Sequence, residues 1–235
     1  MSCSGIYRFA EVRTEITSLH PYLHRLCGAY ASEGPAELRI RTEAGDILAE
    51  GRRSEAGEAP ADRLEALAAF RKMAEAMPAF GAFLFHCSAV AVEGKGYLFA
   101  APSGTGKSTH TRLWRELLGE RAVMINDDKP LIRVAEDGAT RVYGTPWDGK
   151  HHLSTNISAP VRGICLLERG AENRILRISR EEARAGLLRQ CYRPENPESL
   201  RRTLELLEKM QTDFYRLWCR PEKAAAELAW RCMGE

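Results

Sequence analysis

The stretch GYLFAAPSGTGKSTHTRLWRELLG, residues 96–119, constrains this chain more than any other. An apolar run ends in a loop of small residues, and an amphipathic helix follows. The spacing Ala101-x-x-x-x-Gly106-Lys107-Ser108 matches the phosphate-loop pattern, with alanine in place of its first glycine. Gly104 and Gly106 let the backbone curl until successive N–H groups converge on one anion. The helix that begins near Lys107 adds the positive end of its dipole. Lys107 supplies a mobile charge for β- and γ-phosphates, and Ser108 a hydroxyl for a magnesium ion that those phosphates share. Thr109 is the next hydroxyl, placed for the α-phosphate. The expected nucleotide-binding residues are therefore Ser103, Gly104, Thr105, Gly106, Lys107, Ser108 and Thr109. Leu113, Trp114, Leu117 and Leu118 mark the buried side of the helix, and Gly119 its end.

A phosphate loop needs an acid beside it. AVMINDD, residues 122–128, is an apolar strand ending in Asn126, Asp127 and Asp128. In α/β sheets ligands sit at the carboxyl ends of strands, and a right-handed crossover brings this strand beside or near the loop's own. One aspartate then binds magnesium and the other takes a proton from an attacking hydroxyl, in either order. Two hairpins bear on the neighbourhood. With Gly94-Lys95 as the first turn, opposed residue numbers sum to 189, and His86 falls near Ser103 as a phosphate contact or proton shuttle. With Asp137-Gly138 as the second, they sum to 275. That delivers the loop GTPWDGK (144–150) to the aspartates, with Trp147 as a pocket wall or ordinary core and Lys150 as a ligand for the transferred phosphate. His151 and His152 read as exposed loop, and Arg162 as a solvated strand-edge residue.

Elsewhere the chain reads as strands at IYRFAEV and AELRIRT and a polar turn at GRRSEAGEAPAD. A helix follows at PADRLEALAAFRKMAEAM, with Leu64, Leu67, Ala68 and Met73 as its stripe. VRGICLLE and NRILRIS read as two further strands, and the remainder as helices. The expected organisation is a small N-terminal α+β unit over 1–80 and an α/β nucleotide-binding domain over 81–235. A net charge of +2 with interspersed signs offers no surface for nucleic acid. Seven cysteines without a CxxC pair, and no signal core or spanning segment, point to a cytoplasmic protein without membrane contact.

HCSAVAVEGKGYLFAAPSGTGKSTHTRLW, INDDKPLIR and YGTPWDGK together resemble the catalytic domain of HPr kinase/phosphorylase and the related ATP-type phosphoenolpyruvate carboxykinases. They are most similar to HPr-kinase-like proteins grouped as serine kinases. The resemblance covers about residues 83–170. It implies a mixed sheet with flanking helices, ATP and magnesium, and a kinase acting on a serine of a peptide or protein or on a small-molecule hydroxyl. It carries over Lys107 and Ser108 as nucleotide and metal residues, Asp127 and Asp128 as base and metal acid, and His86 as an active-site histidine. It also suggests a homo-oligomer. The rival readings are a carboxykinase-type small-molecule enzyme and an ATP-switched binding module without turnover.

Overall fold

The computed structural model describes residues 2–53, 59–149 and 151–234. Its first sheet is small. Strand β1 (Cys3–Phe9) pairs antiparallel with β2 (Val12–Ser18), and β2 pairs parallel with β3 (Leu38–Arg41). The expected single strand IYRFAEV is thus the middle of a hairpin. Its turn residues Ala10 and Glu11 both have positive φ, a conformation their side chains do not advertise. Helix α1 (Tyr22–Leu26), α2 (Ala44–Arg53) and α3 (Ala61–Ala76) complete this region. Residues 54–58 of the expected polar turn lie outside the described residues, and α2 occupies a stretch not read as helical. On α3 the expected Ala68 and Met73 are buried, together with Ala66, Ala69, Phe70 and Ala74, while Leu67 is exposed. The face is rotated from the leucine pattern because alanines let the helix approach closely and Glu65 on that face has its charge satisfied.

The second sheet holds nine strands. In chain order these are β4 (Ala82–Leu84), β5 (Cys87–Val92), β6 (Lys95–Ala100), β7 (Ala122–Asn126), β8 (Leu131–Val134), β9 (Thr140–Tyr143), β10 (Ser158–Arg169), β11 (Arg174–Ile178) and β12 (Asp213–Cys219). The spatial order is β4-β8-β9-β10-β6-β5-β7, and β12 adds to β10 with β11 outside it. One edge of β10 is shared: Ser158–Pro160 pair with β9, and Gly163–Arg169 pair with β12. The sheet is mixed. β10 runs parallel to β6 and β12, and the hairpins are antiparallel. Strand β12 overturns the reading of the chain after NRILRIS as helical. DFYRLWC has no alternation to read, because the strand is covered on both faces: Phe214 packs in one layer, Tyr215 and Leu217 in the other.

Alternation along the strands builds the layers. Leu98, Ala100, Ile164 and Leu166 face helices α5 (Arg180–Gln190) and α6 (Pro197–Lys209). Tyr97, Phe99, Cys165 and Leu167 face α4 (Lys107–Leu118) and α7 (Lys223–Gly234). Trp114 is fully buried at the centre of the second layer, edge-on to Phe99 and Trp230. A third cluster joins the N-terminal region to the large sheet. There Trp147 packs between Phe9 and Phe70, with ring centroids 5.5 and 4.6 Å away. Trp147 is therefore core and not a wall of the cleft. Among the described residues no helix is long and apolar enough to cross a membrane.

Both hairpins are present with shifted registers. Val92 pairs with Lys95, so the first turn is Glu93-Gly94 and opposed numbers sum to 187, not 189. Glu93 (φ 51°) and Gly94 (φ 77°) supply the two positive φ angles that a tight hairpin needs. His86 accordingly falls level with Ala101, just before the loop. In the second hairpin Val134 pairs with Thr140, a sum of 274. Gly138 (φ 87°) donates to Ala135 O, a three-residue turn with its glycine in the left-handed position.

Candidate active site

The loop after β6 ends at Gly106, whose φ of 122° suits glycine alone, and Gly104 has φ 75°. A Cβ at either would meet no atom within 4 Å, so backbone conformation and not crowding demands glycine here. No side chain caps the first turn of α4. Its leading amides thus face the cleft without a protein acceptor, and an anion there gains from both the N–H groups and the dipole. Arg169 ties the loop down, its Nη2 donating to Gly104 O at 2.8 Å. Lys107 is 7% exposed and donates from Nζ to Ala101 O at 2.8 Å. Burial pushes its ammonium below the ordinary lysine value, and the Asp128 charge partly restores it.

The acids arrive at the carboxyl end of β7, two places from β6 across β5. Asn126, fully buried, shapes the turn. Its Oδ1 accepts the N–H of Asp128 at 2.8 Å and of Lys129 at 2.6 Å, and its Nδ2 donates to Thr145 O at 3.1 Å. Asp127 is 4% exposed. Its Oδ1 accepts the Gly149 N–H at 2.6 Å, while its Oδ2 is buried with no partner among the described residues. A Cβ on Gly149 would sit 2.8 Å from that Oδ2, so only glycine permits the approach. Asp128 differs. His86 Nε2 lies 3.2 Å from its Oδ1 and Lys129 Nζ 2.8 Å from its Oδ2. Burial alone would raise its carboxyl, but these two donors outweigh burial and hold it well below the usual carboxylate range.

His86 is positioned from α5. Its backbone N–H donates to Gln190 O at 2.8 Å, and its Nδ1 lies 3.0 Å from Gln190 Oε1. With Asp128 on Nε2, a protonated ring donates at both nitrogens. With the Gln190 amide turned over, a neutral ring donates to Asp128 alone.

These groups line one cleft of about 750 Å³. It brings together His86, Ser103, Gly104, Gly106, Lys107, Ser108, Thr109, Asp127 and Asp128. Thr105 turns to a neighbouring pocket on the far side of the loop, bounded by Leu167, Arg169 and Arg220. Lys150 lies outside the described residues. His151 lines the cleft, whereas His152 is exposed and bonded to Asp148. Arg162 is far from the chemistry, paired with Asp213 beside Arg177. The sequence reading missed Lys129, Gln190, Arg112 and Arg115. The two arginines follow Ser108 at helical spacing, four and seven residues on, and that period was a usable signal. Gln190 gave none, because 104 residues separate it from His86.

The donor set fits a magnesium–triphosphate group. An uncapped helix start, a buried ammonium and a hydroxyl face a buried carboxylate oxygen that lacks a partner of its own. No protein-family model matches the chain, and no match is found among curated proteins. Among solved structures, the HPr(Ser) kinase/phosphatase from Coxiella burnetii overlaps 64% of this chain and 92% of its own, at 10% identity and a TM-score of 0.36.

Proposed function

We propose that the protein is an ATP- and magnesium-dependent phosphotransferase that moves the γ-phosphate to a hydroxyl, on a peptide serine or a small molecule. One observation carries the reading: the uncapped loop with Lys107 lines the same cleft as Asp127, whose buried Oδ2 has no partner among the described residues. Lys107 exchanges Ala101 O for the β- and γ-phosphates, and the amides of the first turn hold the same oxygens. Ser108 and Asp127 hold the magnesium ion, which neutralises part of the phosphate charge. The Lys129 ammonium and the His86 ring already take one oxygen of Asp128 each, so a metal ion is disfavoured there, and Asp128 is left as the proton acceptor. Its low basicity belongs to the empty cleft, since a bound triphosphate adds negative charge and raises it. The acceptor O–H gives its proton to Asp128 as its oxygen bonds to the γ-phosphorus. The bond from that phosphorus to the β–γ bridging oxygen breaks, and ADP leaves. His86 steadies Asp128 throughout.

The test is equilibrium binding of a fluorescent ATP analogue with magnesium. Lys107→Ala should weaken binding about a hundredfold, as loss of one preorganised charged donor does. Unchanged affinity in that variant would sink the reading.

A further inference from the structure

Arg115 stands on the last turn of α4, on the face that carries Ser108 and Arg112. Seven residues from Ser108 place it about 10 Å further along the helix. It is half-buried, yet among the described residues it has no ion pair and donates no side-chain hydrogen bond. Arg112, beside it, is paired with Glu116. A basic residue in a last turn offsets the helix dipole, but an exposed side chain would do that equally well. Half-burial without a partner costs desolvation that nothing in the described chain repays.

Arg115 and Leu153 line both the catalytic cleft and a groove of about 490 Å³ that continues from it. Val123 and Met124 of β7 and residues 152–155 bound the groove. Glu120 also lines it, and among the described residues it forms no ion pair with Arg115. A guanidinium at the junction of a reaction cleft and an open groove is a fork that matches a carboxylate or phosphate.

We propose that the acceptor is an anionic hydroxyl compound, whose carboxylate or phosphate is held by Arg115 while its hydroxyl faces Asp128. This rests on the phosphotransferase reading above. Arg115 thereby decides which alcohols are phosphorylated, and neutral ones are poor acceptors.

The test uses the full chain saturated with magnesium and a non-hydrolysable ATP analogue, so that probes cannot occupy the phosphate loop. Three probes with one carbon skeleton are titrated by calorimetry: glycerol, glycerate and glycerol 3-phosphate. At least one anion should bind more tightly than glycerol, and the stronger of the two tells carboxylate from phosphate. Arg115→Gln should weaken that anion about tenfold or more, the scale of a lost charged hydrogen bond, and Arg115→Lys less. Anions that bind no better than glycerol, or that bind Arg115→Gln as well as the unmodified protein, overturn the proposal. Failure of the analogue itself to bind sinks the phosphotransferase reading instead. The same probes are then compared on Lys107→Ala and Lys107→Ala/Arg115→Gln proteins, with the same two outcomes.

Discussion

Glu65 and Asp127 are two buried carboxylates in one chain, and they are treated in opposite ways. Glu65, on α3, has a fully buried side chain and every donor it needs. It accepts the N–H groups of Leu19 and His20 at 2.6 and 2.8 Å, His20 Nδ1 at 2.8 Å and the Thr42 hydroxyl at 2.5 Å. Burial alone would raise it, but these bonds outweigh burial and lower it below the ordinary glutamate value. Among the described residues Asp127 has one donor, Gly149, and its Oδ2 has none. A fold closes its accounts where a charge is structural. An acid left open beside an uncapped helix start is waiting for something the chain does not contain.

Isosteric amides separate the two cases. Asp127→Asn should lower phosphotransfer about a thousandfold through the lost metal ligand, read as turnover of labelled ATP. Its folding stability should stay within about 0.5 kcal/mol of the parent, because the amide oxygen keeps the Gly149 N–H and, among the described residues, no donor faces the new NH₂. Equal turnover in the variant would break the contrast. Glu65→Gln should behave inversely, costing about 2–3 kcal/mol in denaturant unfolding, since its NH₂ would face N–H donors. Its affinity for the ATP analogue should be unchanged.

Acid sharpens the same contrast. Because the folded Glu65 value lies below the unfolded one, its stabilisation is fully present above the ordinary glutamate value. It is lost as pH falls through the depressed folded value. The stability gap between parent and Glu65→Gln should therefore be flat near neutrality and close in acid, and a gap that widens in acid would contradict the assignment. The smallest effect belongs to the β5–β6 turn, which is far from either acid's bonding. Glu93→Asn should raise stability by about 0.5 kcal/mol, since asparagine accepts positive φ more readily. The exposed Glu93–Arg121 pair that it removes is worth less.

Local signals were legible where the physics is local. The turn from β6 into α4 could be read because its glycines and the helix start are contiguous in the chain. The strand of Asp127 and Asp128 could be read from its apolar run. Register was less legible. Glu93 at positive φ and the three-residue turn at Gly138 each moved a pairing, because turn type depends on backbone angles that several sequences tolerate. Strand β12 and the turn at Ala10-Glu11 were missed for the same kind of reason, since packing overrode weak local preference.

The sequence by itself determined a strand, a glycine-containing loop and a helix in succession, and two aspartates at the end of a second strand. Only the tertiary structure decided that His86 and Lys129 flank Asp128 while the Asp127 Oδ2 is buried without a partner among the described residues. It alone placed Gln190 behind His86 and put Arg115, unpaired among the described residues, where the groove meets the cleft. The physical reason is range. Backbone curvature and helix dipoles follow from neighbours in the chain, whereas the charge state of a buried group follows from whatever folding brings within hydrogen-bond distance.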